Sequence, residues 1–220
     1  RCNEATMYEM LVEDLTFAIE HLPEARGAEK ARVTKIAAQT LLGKVYLTFG
    51  KYAEAEEILE AAMSDTGYGL MPTTADVFSI SNKMNKEVIF ALYYNKTNDN
   101  GHGYWYSSNT SVEADRNNPT PQFKSLYAAT DTRFALINTY RKISSSVYAM
   151  AKWDDTYDAT YTTQVGIDFP HLRYADIVLM RAEALAQQGN ISDAVTYLNM
   201  TRTRAGLAPL AAADFADKKA

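Results

Sequence analysis

Apolar residues recur at helical spacing in the first third of the chain. Met7, Leu11, Leu15, Ala18 and Leu22 step by threes and fours, which predicts one amphipathic helix ended by Pro23. After a polar linker, Glu24 to Glu29, Ile36, Ala37, Leu41 and Val45 predict a second helix with Thr34 as N-cap and Gly50 as its stop. A third begins at once, with Ala55, Ile58, Leu59 and Ala62 on its inner side, and closes at Asp65, Thr66 and Gly67. Near the other end Val178, Ala182 and Leu185 precede the turn Gln188, Gly189 and Asn190, followed by Ala194 and Leu198. Gly206 is the expected C-cap of that last helix, with Leu207 as its apolar contact and Pro209 barring continuation.

The second and third helices carry a sharper pattern. Leu42 and Gly43, Tyr46, the turn at Gly50 and Tyr52, then Ala55, Leu59 and Ala62 fit the helical hairpin of a tetratricopeptide repeat. The expectation is that Gly43 faces Ala55, so that two small residues allow a close crossing which Tyr46 and Leu59 fill from the side. Gly189 and Ala194 repeat the places of Gly50 and Ala55. A lone hairpin cannot bury its own face, so the two read as units of one scaffold with an insertion between them. The fold class is therefore mainly α: one domain with a helical scaffold at 1–66 and 171–207 and a loop-rich insertion containing short strands at 67–170. Within the insertion Glu87 to Tyr94 predicts a strand, 121–129 a short amphipathic helix and 131–165 short strands and loops.

Composition adds limits. The chain has 220 residues, 47% apolar and 22% charged, and Lys+Arg 22 against Asp+Glu 27 leaves a net charge of −5, which argues against nucleic acid as a partner. The longest uninterrupted apolar run, Val88 to Tyr94, is seven residues, short of the ~18 of a membrane-spanning helix. A single cysteine, Cys2, excludes an internal disulfide and a cysteine-based zinc cluster. The 15 tyrosines fit either a roomy helical core or a surface that binds ligands, since each ring has an apolar face and a hydroxyl.

Catalytic and metal signatures are weak. His21, His102 and His171 stand apart, and neither a zinc-protease motif, a phosphate-binding loop nor a nucleophile elbow occurs. Asp154, Asp155 and Asp158 have the residue type of a glycosidase acid and base but read as a solvated face. Asn95 to Gly101 fails the spacing of a calcium loop. No catalytic residue, metal site or cofactor is expected. Arg173, Asp176, Arg181, Glu183, Arg202 and Arg204 are expected to form ion pairs between the last two helices, with Arg202 and Arg204 reaching Glu183.

Tyr104, Trp105 and Tyr106 stand out because glycines and polar residues surround them and leave little local apolar structure to bury them. A sugar ring stacks its CH face on an aromatic ring and offers hydroxyls at its edge, so Trp105 is the candidate platform, with Tyr104 and Tyr106 beside it and Asn109 as hydroxyl partner. Packing of Trp105 back onto the scaffold is the alternative. Trp153, near Tyr148 and Tyr157, is a second candidate platform.

The order of motifs resembles the SusD/RagB family. The carriers are Tyr8 to Pro23, Arg32 to Leu47, Gly67 to Leu70 with Phe78 and Glu87 to Phe90, Asp131-Thr132-Arg133, and above all Leu172 to Leu185 continuing through Asn199 to Leu207. Asp176 stands where the family more often has Glu. The resemblance implies a surface-exposed lipoprotein of a Gram-negative outer membrane, held there by a lipid anchor. It implies capture of a nutrient, most often a glycan, for a TonB-dependent SusC-like transporter, with no chemistry on the ligand. It further implies that this sequence is the central part of a longer protein, in which case the stripe Met7, Leu11, Leu15 and Leu22 lacks a partner here. A peptide-binding tetratricopeptide-like scaffold and an α-helical glycosidase are the other readings.

Overall fold

The computed structural model describes residues 3–24, 31–94, 119–138, 140–142, 148–150, 152 and 168–215. Five helices form a mainly α array: α1 (Glu4–His21), α2 (Lys35–Thr48), α3 (Tyr52–Met63), α7 (Tyr174–Gln187) and α8 (Ile191–Arg204). Each packs on the next in that order, so α7 takes its place beside α3 despite the intervening chain. That chain holds the short helices α4 (Thr74–Phe78), α5 (Pro121–Lys124) and α6 (Phe134–Asn138) and the strands β1 (Val88–Leu92), β2 (Tyr140–Lys142) and β3 (Tyr148–Met150). A fourth strand, β4 (Phe169–Arg173), runs straight into α7. Strands β1 and β4 pair antiparallel, with Val88 opposite Arg173 and Leu92 opposite Phe169, and β2 and β3 pair as a separate ladder.

Local chemistry sets the helix ends. The Thr34 hydroxyl accepts the Ala37 N–H at 3.3 Å, as expected of an N-cap. Helices α2, α7 and α8 all stop at a glycine with positive φ, Gly50 at 68°, Gly189 at 82° and Gly206 at 76°. In each, the residue after the glycine donates to a carbonyl five positions back: Lys51 to Tyr46 at 2.8 Å, Asn190 to Leu185 at 2.9 Å and Leu207 to Arg202 at 3.0 Å. This left-handed stop turns the chain tightly, so α3 and α8 start within two residues of Gly50 and Gly189.

The core lies where α2, α3, β1 and α7 meet, around Ile36, Leu59, Tyr68, Ile89, Ile177 and Val178. Gly43 faces Leu59: a methyl added at Gly43 would sit 2.5 Å from Leu59 Cδ2. Ala55 is itself fully buried. Leu59 is fully buried too and has no room to withdraw. Gly43→Leu is therefore expected to cost at least the ~1–3 kcal/mol of overpacking, read as a fall in the urea midpoint. An unchanged midpoint would mean that α2 and α3 do not cross there.

Other expectations are corrected by packing. The inner face of α1 consists of Tyr8, Val12, Leu15, Ile19 and Leu22, all half-buried, with the Tyr8 ring 4.8 Å from that of Phe49. Met7 (51% exposed) and Leu11 (37%) turn outward with Met10 and Phe17, and no residue of α1 is fully buried. On α2, Leu42 is buried and Leu41 exposed. Residues 169–173 form a strand, so α7 starts at Tyr174 rather than at 171. The short helix expected at 121–129 is the single turn Pro121–Lys124, and α6 stands in the stretch read as strands and loops.

Candidate functional site

The candidate site residues Tyr104, Trp105, Tyr106 and Asn109 lie outside the described residues, as do Trp153, Tyr157, Asp154, Asp155 and Asp158. What is described is the ground from which those segments spring. The chain reaches 95–118 through Tyr94, at the end of β1, and comes back from 153–167 at Asp168, at the start of β4. Because β1 and β4 are antiparallel neighbours, the root of the first segment and the end of the second meet. The Tyr94 N–H donates to Asp168 Oδ1 at 3.0 Å, and the Lys83 ammonium lies 2.8 Å from the same oxygen. Lys83 also donates to the Tyr94 carbonyl and lies 4.1 Å from the centroid of the Tyr93 ring. Asp168 is buried, and that burial pushes its carboxyl above the usual range despite the opposing pull of Lys83 and the Tyr94 N–H.

The first segment returns at Pro119 into a short aromatic run. The Phe123 and Tyr127 rings meet edge-on at 5.6 Å, Tyr127 and Phe134 at 5.9 Å, and the Arg133 guanidinium lies 5.7 Å from the Tyr127 centroid. Phe123 (45% exposed) and Leu126 (78%) face solvent. Asp131 and Arg133 form a bidentate pair at 2.9 and 2.6 Å, and these hydrogen bonds hold the Asp131 carboxyl below its ordinary range. This turn docks on the end of α8: the Thr132 N–H donates to the Ala205 carbonyl at 2.9 Å, and a methyl at Gly206 would meet the Thr130 carbonyl at 2.9 Å. The Asp131–Arg133 element and the Arg204-Ala205-Gly206 element, far apart in sequence, thus fit each other.

Beneath the ladder sits a charge hub that sequence reasoning missed. Glu87 is fully buried. It accepts from Arg173 at 3.4 Å, from the Met71 N–H at 2.7 Å and from Arg204. The expected Glu183 pairing is thereby corrected: Arg204 turns to Glu87, and Arg202 donates to the Ala208 carbonyl at 3.0 Å. Arg173 and Asp176 do approach, at 3.9 Å. Arg181 instead crosses to α3, 2.8 Å from both Glu56 and Glu60, under the Tyr197 ring of α8. The only advance signal was a carboxylate opening an otherwise apolar strand.

Among the described residues, two clefts of the scaffold have the size of a ligand site. One, of about 470 Å³, lies between the start of α2 and the end of α3 and is lined by Glu24, Lys35, Gln39, Ser64 and Asp65 among others. The other, of about 300 Å³, is framed by Thr40, Lys44, His171, Asp176, Met180 and Glu183. Both have the volume of a small-molecule site, but among the described residues no Trp, Tyr or Phe ring on which a sugar could stack lines either. His171 is held between the rings of Phe90 and Phe169, and His21 stacks on Phe17. Among the described residues, no group of three or more His, Cys, Asp or Glu is placed to hold a metal ion.

Residues 132–220 match the SusD family. No curated protein matches the chain. Among solved structures, a SusD superfamily protein from Parabacteroides distasonis is similar with a TM-score of 0.76 at 20% identity, over 98% of this chain and 54% of its own. Surface glycan-binding protein A from Bacteroides uniformis matches with a TM-score of 0.71 at 21% identity, over 93% of this chain and 50% of its own. Surface glycan-binding protein A from Bacteroides thetaiotaomicron, solved in complex with laminarihexaose, matches with a TM-score of 0.74 at 20% identity, over 94% and 56%. The chain spans about half the length of the solved structures it matches. The C-terminal part of the chain thus matches the SusD family, and nearly its whole length shares the fold of these solved structures.

Proposed function

We propose that the protein of which this chain is part binds a glycan at the cell surface, without chemistry on it, for delivery to a TonB-dependent SusC-like transporter in the outer membrane. The observation that carries the reading is the shared fold with surface glycan-binding proteins, one of them solved with a glucan oligosaccharide. Two further features agree. One end of each aromatic-bearing segment, 95–118 and 153–167, adjoins the Tyr94–Asp168 contact. Among the described residues, those that line the two scaffold clefts include no Trp, Tyr or Phe ring. Anchoring by a lipid on the full-length protein belongs to the same proposal.

Titration calorimetry against a panel of soluble glycans that includes laminarihexaose tests it. Two or three stacked sugar faces and a few hydrogen bonds, less the ordering cost, set the expected Kd between roughly millimolar and tens of micromolar. Chromatography of the same mixtures is expected to show the glycans intact. New reducing ends would make the chain a glycosidase, and binding of peptides without glycans would make it a peptide scaffold. Co-purification with an outer-membrane transporter tests the delivery step.

A further inference from the structure

Helix α1 stands at one end of the packed array, with α2 against its inner face. The outermost helix of a helical array needs a polar outer face, and α1 does not have one. At the α-helical turn Phe17, Met10, Met7 and Leu11 fall on one strip about 120° wide, away from Tyr8, Val12, Leu15 and Ile19. All four are exposed, Phe17 by 63% and Met10 by 55%. Asp14 lies within the strip, and Glu9, Glu13 and Glu20 run along one edge of it. Among the described residues these four exposed carboxylates have no ion-pair partner, and α1 itself holds no Lys or Arg.

We propose that this outer face of α1 docks a basic amphipathic helix of the same polypeptide, one that lies outside these 220 residues. The proposal rests on the reading of the chain as part of a longer protein and is independent of what that protein binds. The solved structures that the chain matches are about twice its length, so their fold includes a further body of chain of similar size. Charge then selects the occupant. A helix with Lys or Arg beside an apolar stripe meets the row of Glu9, Glu13 and Glu20 while its stripe covers Phe17 and the methionines. Met7 and Met10 suit such a contact, since their unbranched side chains adapt to the shape of what covers them. A second copy of the chain fits poorly, because two α1 faces would bring two acidic rows together with no cation to answer them. A lipid surface fits poorly too, because helices that lie on membranes carry Lys and Arg on the polar side, the reverse of α1.

Amide exchange along α1, measured in the full-length protein and in this chain, tests the docking. The α1 amides are expected to exchange at least about tenfold more slowly in the full-length protein. Phe17→Asp is expected to lower the urea midpoint of the full-length protein and to erase that protection. In this chain the same substitution is expected to leave the midpoint unchanged, because Phe17 is already in water. Charge is tested on this chain with a helical amphipathic peptide of Leu and Lys and its counterpart of Leu and Glu. The Lys peptide is expected to bind at least about tenfold more tightly. Phe17→Asp is expected to weaken it despite the added negative charge, which separates docking on the face from attraction to the net charge. Equal α1 exchange in the two forms, or equal binding of the two peptides, overturns the proposal. A dimer of this chain in light scattering that Phe17→Asp dissolves gives the face to a second copy and overturns it as well. A failure of glycan binding touches none of these readouts.

Discussion

Replacing Glu87 by Leu is expected to remove about 3–5 kcal/mol of stability, the range for leaving a buried charge without its partner. Arg204, with 9% of its side chain exposed, would lose its Glu87 carboxylate, and Arg173, with 25% exposed, its tie to the strand. The Met71 N–H would lose its acceptor as well. Natural domains are stable by about 5–15 kcal/mol, so the loss is a third or more of the total. The consequence reaches beyond one site because Glu87 joins the loop at Met71, the start of β1, the end of β4 and the end of α8. Urea unfolding followed by circular dichroism measures the effect. Adding Arg204→Met to Glu87→Leu is expected to recover part of the loss, since the uncompensated charge goes with it. A single-variant loss below about 1 kcal/mol would show that the two arginines escape to water and that the hub does not hold the halves together.

The features legible in sequence were those with a local cause. A glycine at the left-handed position ends α2, α7 and α8 by bonds within six residues, so Gly50, Gly189 and Gly206 were readable directly. The strand at Val88–Leu92 was readable from its run of apolar residues. Rotation of α1 was not, because spacings of three and four fit both the stripe through Met7 and Leu11 and the neighbouring one through Tyr8 and Val12. The Tyr8–Phe49 ring contact, a tertiary event, decides between them. Strand β4 escaped notice because Pro170 and His171 give it no strand signature of its own, and it exists by pairing with β1. The hub at Glu87 was hidden for the same reason: its partners are 86 and 117 residues away in the chain. The aromatic site was legible only as a composition, rings among glycines and polar residues. Its attachment point, Tyr94 against Asp168, spans 74 residues and no spacing announces it.

Trp105→Ala is expected to abolish measurable glycan binding while leaving the thermal midpoint nearly unchanged. One sugar face stacked on an indole removes on the order of 60 Å² of apolar surface from water, worth about 1.5 kcal/mol at ~25 cal/mol per Å². That is more than a tenfold change in affinity, and from a millimolar to tens-of-micromolar starting point it takes binding beyond the reach of calorimetry. Tyr104→Ala and Tyr106→Ala are expected to weaken binding less, and Asn109→Ala by about the 0.5–1.5 kcal/mol of one hydrogen bond. The midpoint is expected to hold because the core that joins α2, α3, β1 and α7 closes on Ile36, Leu59, Ile89, Ile177 and Val178. The opposite result, a midpoint lower by many degrees with binding intact, would make Trp105 a packing residue. The platform would then be sought at Trp153, on the other segment rooted at Asp168.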